Sequence, residues 1–174
     1  MICFFRIEYH NPLHRQFQQQ VWEDWILTQP EYMEAGGYSP GDFEAFAAPQ
    51  SDMLEIGAVT TEGKAIALFQ VMAHGDRRYE FHMITPRQND GAALQMALLR
   101  LREDLFLKLQ AHLVTTILPV SGARHRAARW IAKRLGMTQA GDQWQLDVWD
   151  WMQITARHYV GEIRNGQQEQ TTPF

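Results

Sequence analysis

The strongest constraint on the fold is a change of periodicity at Gly91. Upstream, 78–85 reads as a strand. Downstream, Leu94, Leu98, Leu101, Leu105 and Leu109 recur at helical spacing, with Arg100, Arg102, Glu103, Asp104 and Lys108 on the opposite side. A strand that passes through a glycine turn into a long amphipathic helix lays that helix on a sheet. The first-turn N–H groups of such a helix have no partner within it, so the turn Gln88-Asn89-Asp90-Gly91-Ala92-Ala93 can bind an anion. Gly91 permits close backbone approach, and Ala92 and Ala93 keep side chains small.

The rest of the chain supplies the sheet. Residues 2–9 form a first strand ending at Asn11-Pro12, an N-cap followed by N1. A helix over Leu13 to about Gln29, with Phe17, Val21, Trp25 and Ile26 inward, is closed by Pro30. The stretch 31–52 is expected to be loop with a short helix near 41–47. Two β-rich runs, 53–60 and 64–73, flank the turn Thr61-Glu62-Gly63, and His74-Gly75-Asp76 turns the chain into 78–85. Leu113-Val114-Thr115-Thr116-Ile117-Leu118 reads as a buried strand stopped by Pro119. A helix over about 122–135 comes next, with Gly136 as its stop. Within 137–163, the alternation of Trp144, Leu146 and Val148, then Met152 and Ile154, predicts two further strands. On a strand Trp149 and Trp151 share a face.

The 174 residues suit one domain, expected over 1–163, with a polar tail at 164–174. Hydrophobic residues make up 45% and charged residues 21%, the balance of a globular chain. Cys3 is the single cysteine, so no disulfide framework or cysteine zinc site is available and a reducing, cytoplasmic setting is expected. The apolar run at Ile2-Cys3-Phe4-Phe5 is too short for a signal core or a membrane span, so no membrane association is expected. A net charge of -4 argues against nucleic acid as partner. His10 and His14 have a helical ligand spacing, but Asn11-Pro12 puts His10 ahead of the helix, so no metal site is expected. Val120-Ser121-Gly122 lacks the upstream glycine of a nucleophile elbow and reads as an N-cap.

Gln88-x-x-Gly91-x-Ala93 resembles the Gln/Arg-x-x-Gly-x-Gly/Ala turn of the GCN5-related N-acetyltransferase family. Ala132-Lys133-Arg134-Leu135-Gly136-Met137 resembles that family's aromatic-Glu-Lys-Leu-Gly-Phe segment, and the order of elements matches over roughly residues 2–160. The resemblance implies a single α/β domain with a mixed, mostly antiparallel sheet flanked by helices. It implies acetyl-coenzyme A as co-substrate, bound at Arg87, Gln88, Asn89, Asp90, Gly91, Ala92 and Ala93 with help from Arg126, its pantetheine arm lying between the fourth and fifth strands and ending near Pro119. An amine would attack the thioester directly, with a strand amide polarising the carbonyl. Glu80 and His82 share parity on the fourth strand and are the candidates for the base.

The pattern departs from the family at three places. The tyrosine that serves as acid in many members falls on Ala132, which leaves Tyr38 or Tyr159 as substitutes. The asparagine ahead of that helix falls on Ser121 or His125. Asp90 stands where a basic or neutral residue is usual, with Arg87, Arg124, Arg126 and Arg129 available to compensate. The acceptor is expected to be a small-molecule or protein amine. Aromatic and acidic residues at 31–46 suit a cationic amine in the region where the family forms its acceptor groove. The second reading, motivated by Asp90, Ala132 and the tryptophans near the C-terminus, is an inactive scaffold that binds protein partners. Short-tailed phages carry virion-associated proteins resembling degenerate members of the family. A homodimer stays open on either reading.

Overall fold

The computed structural model describes residues 1–88, 90–118 and 122–157. A seven-stranded sheet has the order β1-β2-β3-β4-β5-β7-β6, where β1 is Ile2–Arg6, β2 Met53–Thr60, β3 Ala65–Ala73, β4 Arg78–Ile84, β5 Leu113–Ile117, β6 Thr138–Ala140 and β7 Gln143–Asp147. The β4–β5 pair is parallel and the other pairs are antiparallel. The helices are α1 (Pro12–Gln20), α2 (Pro30–Gly36), α3 (Phe43–Phe46), α4 (Gly91–Leu107), α5 (Gly122–Arg134) and α6 (148–157).

The two faces of the sheet bury separate cores. On one, α4 and α5 pack Leu94, Leu98, Leu101, Leu105, Ala132 and Leu135 against Phe69, Phe81 and Val114. On the other, α1, the helical stretch that follows it and α3 pack Phe17, Trp22, Trp25, Ile26 and Phe46 against Leu68 and Ile84. The meander β2–β3–β4 and the helix after Gly91 lie close to their expected spans. Asn11 caps α1, its side chain accepting from the Leu13 N–H at 3.0 Å, with Pro12 at the first turn.

Three expectations are corrected. The first helix is not one α-helix to Gln29: after Gln20 it widens into a π-helical stretch, Val21–Ile26, which turns Val21, Trp22, Trp25 and Ile26 all into the core. Pro30 does not merely stop that helix. It opens α2, where proline's fixed φ and missing N–H are tolerated, so 31–36 is helix and not loop. The segment after β7 is α6 and not a strand. Asp147 Oδ1 accepts from the Asp150 N–H at 2.8 Å, and Trp151 stacks on Phe106 with ring centroids 5.0 Å apart. Two residues along a helix are about 200° apart around its axis, so Trp149 does not share a face with Trp151 and stands 70% exposed.

Gly136 shows why α6 fits where it does. Its φ of +83° ends α5 in the left-handed region, and a Cβ built there would lie 2.2 Å from Ile154 Cδ1. Arg102 reaches the Leu135 carbonyl at 3.0 Å and pairs with Glu103, which also accepts from Trp151 Nε1 at 3.3 Å. The tail expected at 164–174, with Tyr159, Pro119 and Ser121, lies outside the described residues.

Candidate active site

The β3–β4 hairpin assembles the first part of the site. His74 N–H donates to the Arg78 carbonyl and Arg78 N–H to the Gly75 carbonyl, with Asp76 and Arg77 at positive φ. That tight turn sets His74 beside β4, where Glu80 and His82, two residues apart, point to the same face. His82 Nε2 lies 2.9 Å from Glu80 Oε1, and His74 Nε2 lies 3.4 Å from Glu80 Oε2. Glu80 is 12% exposed and His82 39% exposed, so a shielded carboxylate backs an imidazole that solvent or an acceptor can reach. The structure thus brings the two predicted base candidates together.

The same face continues as a polar row. His82 stands opposite Gln70 on β3, and Gln70 opposite Glu55 on β2. Glu55 is buried and accepts from Gln70 Nε2 and from Gln18 Nε2, each at 2.9 Å. Burial pushes its carboxyl above the usual range, although the two amide donors pull the other way. Burial, and then the neighbouring Glu55, also raises the Tyr38 phenol. Tyr38 packs edge-on against Trp22 and Phe46, so it is part of the α1–α3 core.

Between β4 and β5 the sheet opens. Their register runs Arg78 with Leu113, Tyr79 with Val114 and Glu80 with Thr115, then stops, although β4 continues to Ile84 and β5 to Ile117. At the next step Thr116 Oγ1, a side chain, donates to the Phe81 carbonyl at 2.8 Å where a ladder would place a backbone amide. The N–H and C=O of a strand residue point to the same side and alternate along the chain, so Met83 turns its amide toward the opening as Phe81 does. At the far end the Thr85 N–H donates to Tyr32 Oη at 3.2 Å, and the Thr85 carbonyl accepts from Gln29 Nε2 at 3.0 Å. The N-terminal end of α2, with its cap residue Gln29, therefore holds the end of β4 at that side of the gap.

At the turn, Asp90 is the N-cap of α4. Its Oδ1 accepts from the Ala92 N–H at 3.0 Å and the Ala93 N–H at 3.2 Å, and its carbonyl takes the Leu94 N–H. Gly91 has open space where a Cβ would stand. Arg87, Gln88 and Ala92 are exposed, Ala93 is buried, and Asn89 lies outside the described residues. Arg126 and Arg129 are exposed on α5. Ala132, at the position of the family's acid, is buried in the core.

Several of these features carry no motif. His74 joins Glu80 only through the hairpin turn, and Thr116 is one threonine of two in a β-branched run. Asp90 does have a readable signal: an aspartate just ahead of a helical run is a strong N-cap.

No protein-family model matches the chain, and no curated protein does. Solved structures do. A chimeric spermidine N-acetyltransferase built from Vibrio cholerae SpeG and hSSAT aligns over 84% of this chain and 95% of its own, with a TM-score of 0.63 and 12% identity. An aminoglycoside 6'-acetyltransferase of type Ii aligns over 83% and 96%, with a TM-score of 0.61 and 14% identity. The Campylobacter jejuni N-acetyltransferase PseH, in complex with acetyl coenzyme A, aligns over 85% and 99%, with a TM-score of 0.55 and 10% identity. The open parallel pair, the glycine-turn helix beside it and these alignments agree: the chain has the fold of the GCN5-related N-acetyltransferases.

Proposed function

We propose that this protein is an N-acetyltransferase that passes an acetyl group from acetyl-coenzyme A to an amine. The observation that carries the reading is the Glu80–His82 pair on β4, the strand that also borders the gap between β4 and β5. Acetyl-coenzyme A, when bound, supplies an activated thioester. The gap between β4 and β5 is where its extended pantetheine arm would lie, and the amides of Ala92 and Ala93 would meet its diphosphate only once Asp90 leaves them.

The roles of the chain's own groups come from their positions. The Met83 N–H is placed to donate to a carbonyl oxygen in the gap and to stabilise the negative charge it gains on attack. His82 takes the proton of the attacking amine as the new C–N bond replaces the C–S bond and the donor's sulfur leaves as thiolate, and Glu80 Oε1, 2.9 Å from Nε2, orients the ring and stabilises the imidazolium that forms. The acceptor is an amine, in keeping with the spermidine and aminoglycoside named for the structural neighbours. Glu31 and Glu34 on the exposed side of α2 add negative potential that favours a cationic acceptor.

A thiol-release assay with acetyl-coenzyme A and a panel of polyamines and aminoglycosides tests this. Turnover is expected, with His82→Ala lowering kcat by about 10²–10⁴-fold, the usual worth of a positioned base. Absence of turnover across the panel refutes the reading and leaves a non-catalytic scaffold on the same fold. Turnover that survives His82→Ala refutes the assignment of the base.

A further inference from the structure

The first turn of α4 is already occupied by the chain itself. Asp90 Oδ1 holds the Ala92 and Ala93 amides at 3.0 and 3.2 Å, and the Asp90 carbonyl holds Leu94. These side-chain bonds satisfy the donors that an incoming anion would otherwise satisfy, and they keep a negative charge at the positive end of the helix. A diphosphate at this turn must displace the carboxylate and then sit beside it. Bulk is not the obstacle, because the space over Gly91 is open. The gap between β4 and β5 is separate from this contact: it begins past the Glu80–Thr115 register pair and is bounded by Thr116, Met83 and Thr85.

We propose that Asp90 is an internal competitor for the donor's diphosphate, so that the donor is selected by its acyl-pantetheine arm and its nucleotide adds little affinity. The inference rests on the acyl-transfer reading. It widens the donor class to acylated pantetheine thioesters whether or not they carry an adenosine diphosphate. Arg87, exposed at the turn, adds positive charge there without freeing the two amides.

Isothermal titration of coenzyme A and of pantetheine into the wild-type protein, Asp90→Asn and Asp90→Ala tests it. The wild type is expected to bind the two compounds with Kd values within about threefold of each other. Asp90→Ala, which removes both charge and cap, is expected to tighten coenzyme A by about tenfold and leave pantetheine unchanged. Asp90→Asn keeps a capping oxygen, guards against a folding defect and is expected to fall between. Coenzyme A binding the wild type far more tightly than pantetheine overturns the proposal, as does an affinity that neither substitution changes. Tightening by Asp90→Ala in a protein that releases no thiol upholds the competitor and refutes acyl transfer. No heat from either compound with any of the three proteins counts against both.

Discussion

Glu55→Gln is expected to stabilise the protein at neutral pH and to remove a component of its pH dependence. Glu55 is 2% exposed, and its carboxylate accepts two amide hydrogen bonds, from Gln18 and Gln70. Such bonds to a charged group contribute about 1.5–3 kcal/mol each, whereas taking the charge out of water costs several kcal/mol. The direction of the shift decides between them: burial raises the Glu55 carboxyl despite both donors, so desolvation is the larger effect. Glutamine has the same shape and no charge. It keeps the bond from Gln70, and Gln18 keeps the other by turning its amide over to accept. Each unit by which burial raises the folded value is about 1.4 kcal/mol, so the variant without the charge is expected to be the more stable of the two at about pH 8.

The sign is set by proton binding. A carboxyl with a raised folded pKa binds more protons in the folded than in the unfolded state, so its contribution is fully present below the unfolded value of about 4.3 and is lost as pH rises through the folded value. Urea denaturation of wild type and variant between about pH 4.5 and about pH 8 gives the difference profile, in which other carboxylates cancel. The wild type should lose ground to the variant as pH rises, with a limiting slope of about 1.4 kcal/mol per pH unit. A flat difference profile, or a variant less stable than wild type at the alkaline end, refutes the reasoning.

Gly136→Ala combines a left-handed backbone with a Cβ 2.2 Å from Ile154 Cδ1, and a loss of about 2–3 kcal/mol is expected by chemical denaturation. Ile154→Val removes that atom, so the double variant should lose less than the sum of the single ones; strict additivity contradicts the contact. Thr116→Val keeps the shape and removes the hydroxyl that donates to the Phe81 carbonyl. A cost of about 1–3 kcal/mol is expected, and a neutral result means that the carbonyl finds another donor.

How much of the fold is legible in the sequence differs from element to element. The helix after Gly91 is plain because Leu94, Leu98, Leu101 and Leu105 all face one core, and local pattern and packing agree. The meander is plain because its turns carry glycine at Gly63 and Gly75, both at positive φ. The segment after β7 reads as a strand, and is a helix, for a specific reason. Even-numbered apolar residues continue from Trp144 through Met152 and Ile154, mimicking a strand, while the helix is decided by distant partners: Phe106 under Trp151, and Gly136 under Ile154. Likewise Pro30 marks both the end of one helix and the start of another, and the π-helical register of 21–26 has no residue signature. In the site, the parity of Glu80 and His82 on one strand is legible, but the interruption between β4 and β5 is not. Two β-rich segments say nothing about where their ladder stops.

That interruption also divides the protein mechanically. Four strands lie on one side of the seam and three on the other, joined across it by three register pairs and the Thr116 hydroxyl. Amides facing the seam have fewer ladder partners than those inside the antiparallel meander, so protection from hydrogen exchange should fall there first. A plate hinged along its middle can spread by a small rotation of its halves at little cost to the core beneath α1–α3, which lies mainly against the β1–β4 half, whereas the core beneath α4 spans the seam and limits the rotation. The compliance needed to admit a long, narrow substrate and the weakest line of the sheet are one and the same feature.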